Sequence, residues 1–399
     1  MIELFRKAYN KEFKDENYNL YIQSLSSRYP KQLDFRVAET PVFVPDSFTN
    51  QMLDACEAII NVIKTPDYKE QSAHAIPDAV NVPNEDKHPH FIAFDFGICT
   101  NASGQLEPQL IEMQGFPTIF AWQLIQPEVH QQHFPWPNGF SNFLNGYKRE
   151  SYIQILKELI IAEEDPENVI LLEIFPEKQK TRVDFYATEE LIGVKTVCLT
   201  QLIQEGRNLF YEKEGRKIRI HRIYNRLIFD DLFHQPIEVQ EKGNIMLQDL
   251  DVTWVPHPNW FYRLSKFTLP FINHPNVPVT RFLNEVDPLP SDLENYVIKP
   301  LFSFAGQGVI IDVTKEELAK IPDPQNWIIQ RKVQYADVIE TPDGPAKAEI
   351  RLFYFWPPGS ERPFAVNNLA RLSKGKMIGV RYNKDKTWVG GSFCLFEQS

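Results

Sequence analysis

Cysteine is scarce in this chain of 399 residues: Cys56, Cys99, Cys198 and Cys394 stand far apart, none in CxxC spacing. That spacing suggests neither a disulfide framework nor a cysteine zinc site. No run of about 18 apolar residues is present, the length a bilayer crossing requires, and Met1-Ile-Glu-Leu-Phe-Arg-Lys7 lacks the long apolar core of a signal peptide. A cytoplasmic protein with no membrane partner is the expectation. Positive charge is in deficit, with a net charge of -11, which argues against nucleic acid as the partner because a phosphate backbone calls for a basic surface. Internal repeats and low-complexity tracts are missing as well.

Hydrophobic residues make up 43% and charged residues 24% of the chain, ordinary values for a globular protein. Its length exceeds what one core usually supports, so two or three subdomains are expected. Phe48 to Ile63 carries apolar residues at helical spacing, with Thr49 or Asn50 as the expected cap. Residues 82 to 90 and 126 to 138, rich in Pro, His and Asn, read as loops. Val169 to Phe175, Thr181 to Ile192 and Val194 to Leu199 give a strand, helix, strand pattern, hence a parallel sheet with a crossover helix. Prolines at 270 to 290 punctuate the chain before its last third.

The most informative stretch follows that punctuation. Tyr296-Val-Ile-Lys-Pro300 is a short apolar strand ending in Lys299, after which come a loop with Gly306 and Gly308 and a second apolar segment, Val309 to Asp312. A lysine pairs with phosphate oxygens, and glycines let backbone N–H groups approach a nucleotide. No Gly-Lys-Ser/Thr follows, so this is not a P-loop. Asn326 to Val333 is another short apolar strand. Ala348 to Trp356 alternates strictly, which puts Glu349 and Arg351 on one face and Ile350 and Leu352 on the other.

Lysine strand, glycine loop, linker strand and acid-arginine strand, in that order, resemble the ATP-grasp superfamily. The likeness extends to the glutathionylspermidine synthase-like proteins of that superfamily through Ile218 to Leu232, Trp254 to Lys266, Phe94-Asp-Phe96 and Leu110-Ile-Glu-Met-Gln-Gly-Phe-Pro-Thr118. It covers residue 90 or so to the C-terminus. The resemblance implies an α/β chain with α+β elements: a mixed N-terminal region with metal-ligand strands (1–150), a parallel α/β domain (151–265) and the ATP-grasp nucleotide-binding region (266–399). It further implies ATP and Mg²⁺ as cofactors. By the resemblance Lys266 and Lys299 hold phosphates, Ser303 to Gly308, including Gly306 and Gln307, form the lid, and Gln330, Arg331, Lys332 and Val333 line the adenine. Asp95, Glu112 and Gln114 would hold magnesium, which takes hard oxygen ligands in agreement with that set. Two positions depart from the group: Gln114 stands where it prefers Asn, and Ala93 where it commonly has Arg. Arg351, Arg371 or Arg381 would supply the missing charge.

The run Asn368 to Ser392 is dense in cations and glycine, suited to anions because guanidinium forks pair with phosphate or carboxylate. Similar elements in the related proteins make Arg371, Asn383, Gly390 and Gly391 active-site candidates, while Lys374, Lys376, Lys384 and Lys386 read as solvated hairpin tips. Of nine histidines, the pairs His88/His90 and His130/His133 lie in Pro-rich stretches without a second cluster at ligand spacing. The 29 phenylalanines read as core packing.

The activity implied is an ATP-dependent ligase joining a small-molecule or peptide-like carboxylate to an amine, with Arg351 on the transferring phosphoryl group and Arg371 and Asn383 nearby. Two alternatives stay open: a catalytically inactive nucleotide-binding or scaffold protein, and a small-molecule phosphotransferase. Oligomeric state is left open, a homodimer being the commonest arrangement among soluble oligomers.

Overall fold

A computed structural model describes residues 1–301, 308–375, 378, 383 and 385–398. At its centre lies a five-stranded antiparallel sheet in the order Gly390–Ser392, Phe364–Ser373, Lys347–Phe355, Phe91–Thr100, Leu106–Gln114. It draws strands from both the N-terminal and C-terminal thirds of the chain. Strand alternation divides its residues. Phe94, Phe96, Ile98, Ile350 and Leu352 enter the largest apolar cluster, while Phe91, Phe353, Phe355 and Val366 join a second one on the other side. That second side changes character along its length: beyond Phe91 and Phe353 it carries Asp95, Glu349, Arg351 and Arg371. Asp95 stands opposite both Arg351 and Glu112, and Glu349 opposite Arg371 and Gly97.

Two further sheets flank the site. The parallel one runs Thr253–Val255, Arg222–Asn225, Val169–Glu173, Lys195–Cys198. It contains the strand, helix, strand unit expected from the sequence, the helix spanning Arg182–Ile192 and closing on Gly193 at φ 79°. The other is a small antiparallel sheet of Thr280–Phe282, Trp327–Arg331 and Tyr296–Pro300. The segment after Gly308 adds only a single bridge, Ile298 to Ile310, rather than a full strand.

Two sequence expectations give way here. Residues 126–138 are not all loop, since Trp122–His133 is an α-helix that includes Pro127. A proline inside a helix frees the carbonyl four residues earlier, and the freed Gln123 oxygen is taken up by the Asn367 side-chain amide at 3.2 Å. The Asp184 carboxylate accepts from the Trp122 N–H at 2.9 Å and closes the helix start. Tertiary partners, which local composition does not show, thus stabilise this helix. The long N-terminal helix is Asp46–Ile63, with Pro45 at its N-cap and no side-chain capping bond, so neither Thr49 nor Asn50 is the cap. Asn50 instead donates back to Asp46 at 2.9 Å, and Thr49 to the Pro45 carbonyl at 3.2 Å.

Asn367 is fully buried, so Asn367→Ala strands the Gln123 carbonyl. The expected cost is about 1–3 kcal/mol, read as a lower urea midpoint with an unchanged denaturant slope.

Candidate functional site

Asp95 organises the charged end of the central sheet. Its carboxylate is 1% exposed and accepts from Arg351 through Nε at 2.5 Å and Nη2 at 2.6 Å, and from Arg371 at 2.7 Å. Arg371 also donates to Glu349 at 2.8 Å, and Tyr335 donates its hydroxyl to the other Glu349 oxygen. Arg351 reaches Thr118 Oγ1 at 3.3 Å and lies 3.7 Å from Glu112. Two acids and two arginines therefore form a cross-strand lattice, with Glu112 at its rim, its side chain 36% exposed.

Lys299 joins this lattice from the neighbouring sheet. Its ammonium donates to the Ile111 carbonyl at 3.3 Å, beside Glu112, and to Gln330 Oε1 at 2.6 Å. Burial lowers the Lys299 proton affinity to about 8, with Lys266 adding to the effect while Glu112 and Glu349 oppose it. Lys266 is also lowered by burial, again against the attraction of Glu112 and of Asp230. Asp95 is held below the usual carboxylate range: burial pushes it up, but Arg351 and Arg371 overcome that. Glu349 moves the other way, burial outweighing Arg371.

Lys299 has a consequence for stability against pH. Between about 8 and its usual 10.5, the unfolded lysine still binds its proton while the folded one has released it. The unfolded state binds more protons there, so the contribution to stability rises with pH, by at most about 1.4 kcal/mol per unit. Relative to Lys299→Met, the wild-type chain should gain stability as urea titrations move from pH 7.5 to pH 10.

The remaining sequence candidates fall into three groups. Glu112 and Gln114 follow the Asp95 register on the edge strand, and Gln114 stands opposite Ala93. Gly115 comes next, where a Cβ would meet the Trp260 carbonyl at 2.6 Å, so the strand exit is packed hard against the segment leading to Lys266. In the stretch assigned to adenine, Gln330 turns toward Lys299. Arg331 pairs with Asp292 at 3.0 Å, Lys332 donates to the Glu294 carbonyl at 2.6 Å, and Val333 lies just past the strand. Asn383 folds back on the end of the Arg371 strand, accepting from the Lys374 N–H at 2.8 Å and donating to Ser373 Oγ at 2.9 Å. Gly391 stands opposite Arg371, and Gly390, at φ 120°, passes so close that a Cβ would lie 2.3 Å from the Arg36 carbonyl.

Gly308, at φ 73°, lies against Pro300. Ser303, Gly306, Gln307, Lys376, Arg381 and Lys384 lie outside the described residues. Lys374 is not a solvated tip: its side chain is 9% exposed and pairs with Asp343. The loop at 341–344 has come over the end of the Arg371 strand, a contact between segments far apart in sequence.

Two participants were not singled out in the sequence. Tyr335 sits in a loop, and its ring occupies the space a Cβ at Gly97 would need, 2.8 Å away. Arg226 donates to the carbonyls of Pro117 and Thr118 and so fixes the turn after the Glu112 strand.

Among solved structures, a glutathione synthetase-like effector (GSS30) from Globodera pallida, in its apo form, superimposes with a TM-score of 0.60. The match covers 97% of this chain and 98% of that one at 9% sequence identity. The chain has that fold. It is a mixed α/β fold, as the sequence resemblance implied. No protein-family model matches the chain, and neither does any curated protein. Among the described residues no helix is long and apolar enough to cross a membrane.

Proposed function

We propose that the chain is an ATP- and Mg²⁺-dependent ligase that joins a carboxylate to an amine. One observation carries this reading: the half-buried Lys299 ammonium, from the small sheet, donates to the Ile111 carbonyl next to Glu112 on the edge strand of the central sheet. A cation and a hard oxygen donor thus come near one another across two sheets, each acting on the other's charge. Lys266 adds a buried cation near Glu112.

The donors fit a magnesium ion of the kind that keeps several waters and takes few protein ligands. Glu112 and Gln114 would hold it, and it would supply charge neutralisation for the triphosphate. Asp95 acts differently from the sequence expectation. Both of its oxygens are engaged by guanidinium groups, so in this arrangement it holds Arg351 and Arg371 in place. Fixed cations of this kind stabilise developing charge without reorganising during reaction. Arg371, with 37% of its side chain exposed, is the one placed to meet a transferring phosphoryl group, with Arg351 behind it. In the reaction, a substrate carboxylate oxygen attacks the γ-phosphorus and ADP leaves. The amine then attacks the acylphosphate carbonyl, and phosphate departs with formation of the amide.

The engagement of Asp95 also favours a second reading, a nucleotide-binding protein without turnover, because it leaves Glu112 and Gln114 as the principal oxygen donors. Calorimetry with ATP and Mg²⁺, separately and together, tests the first step. Wild type should bind ATP more tightly with Mg²⁺, and Glu112→Gln should keep ATP binding but lose the magnesium dependence. Failure to bind nucleotide under any condition defeats both readings. Binding without ADP release in the presence of amino acids and polyamines selects the second.

A further inference from the structure

The Gln330 amide is oriented by two neighbours that leave it no alternative. Thr280 donates its hydroxyl to the Pro278 carbonyl at 2.8 Å, so toward Gln330 it acts as acceptor, and Gln330 Nε2 donates to it at 2.9 Å. Gln330 Oε1 therefore faces the other way, where the Lys299 ammonium, which can only donate, approaches at 2.6 Å. The sheet register builds this chain of contacts. Thr280 and Gln330 are directly opposed across one strand pair. In the other pair Lys299 stands opposite Ile328, so Gln330 is its diagonal neighbour on the same face. Thr280 and Gln330 are 6% and 2% exposed. A buried polar pair of this kind is ordered only when every partner is in place.

We propose that Thr280 and Gln330 are positioning residues that hold the Lys299 ammonium where a phosphate group meets it, and that Gln330 does not read the adenine base. The proposal rests on the nucleotide reading for what Lys299 does, and on hydrogen-bond geometry alone for how it is held. A lysine on a four-carbon stem has many rotamers. Two fixed acceptors, Gln330 Oε1 and the Ile111 carbonyl, select the rotamer that lies beside Glu112.

The decisive variants are Thr280→Val, which keeps the side-chain shape and removes the hydroxyl, and Thr280→Ser, which restores it. Calorimetry with ATP and with adenosine separates positioning from base reading. Thr280→Val should weaken ATP by about tenfold, the worth of one hydrogen bond, leave adenosine unchanged, and be rescued by Thr280→Ser. Equal loss for ATP and adenosine overturns the proposal, because it places Gln330 on the base.

A second measurement needs no nucleotide: the rate of Lys299 acylation by a small amine-reactive reagent, read by peptide mass spectrometry. Thr280→Val should raise it several-fold, and Thr280→Ser should return it to the wild-type rate. An unchanged rate overturns the relay. If wild type binds neither ATP nor adenosine, the ligase reading fails, and this rate alone decides whether the relay holds Lys299.

Discussion

Asp95→Ala is expected to lower folding stability by about 3–5 kcal/mol, the cost of abandoning a buried charge partner. Arg371 retains Glu349 after the change, so the loss falls on Arg351. That guanidinium is 11% exposed and would keep only Thr118 at 3.3 Å and Glu112 at 3.7 Å. Asp95→Asn keeps the shape and one acceptor, and should cost less. The acid limb of the stability curve carries the same information. Because the folded Asp95 carboxyl is depressed, its contribution is fully present above the ordinary aspartate value of about 3.9 and is lost as pH falls through the lower folded value. The variants should therefore lose part of the wild-type acid transition in addition to their drop at neutral pH. Urea unfolding at pH 7 and pH 3 checks both. An Asp95→Ala chain as stable as wild type at pH 7 would mean that the lattice contributes nothing net.

Lys299→Met has the opposite profile. The substitution removes a desolvated ammonium and leaves Gln330 Oε1 and the Ile111 carbonyl without their donor, two effects of opposite sign. Stability at pH 7 should stay within about 1 kcal/mol of wild type. Nucleotide affinity should fall on the order of a hundredfold, because a charge-assisted contact to phosphate is worth about 3 kcal/mol. Thermal shift with ATP and Mg²⁺ reads both numbers in one experiment: a similar melting temperature without ligand and little or no rise with it. A retained response would move the phosphate grip away from Lys299.

The pairing of these residues was partly legible in the sequence. Period-two alternation placed Glu349 and Arg351 on one face, and the resemblance of Leu110 to Thr118 singled out Glu112 and Gln114. The βαβ unit was legible too, since its strands are short apolar runs on either side of a helical stretch. What escaped were contacts made across long separations. Tyr335 has no periodic context. The helix over Trp122–His133 is hidden by Pro127 and by its His and Gln content, and depends on Asn367 and Asp184 from elsewhere. Lys374 looked like a surface cation because Asp343, its partner, is 31 residues away. The direction of Gln330 was within reach of simple strand geometry, since it sits two residues beyond the position opposite Lys299. The assignment to adenine came from the resemblance instead.

The central sheet also determines when the site exists. Asp95 and Arg351 are adjacent in space but 256 residues apart in the chain. During synthesis the Phe91–Gln114 hairpin emerges long before the Lys347–Phe355 strand that covers its inner edge. Until then a mostly apolar strand, from Phe91 to Ile98 with Asp95 within it, has an unpaired edge, the condition under which nascent chains recruit chaperones or pair with one another. Long-range closure of this kind is slow. A ribosome-stalled chain ending before residue 347 would possess the Glu112 strand and Lys299 yet no arginine lattice.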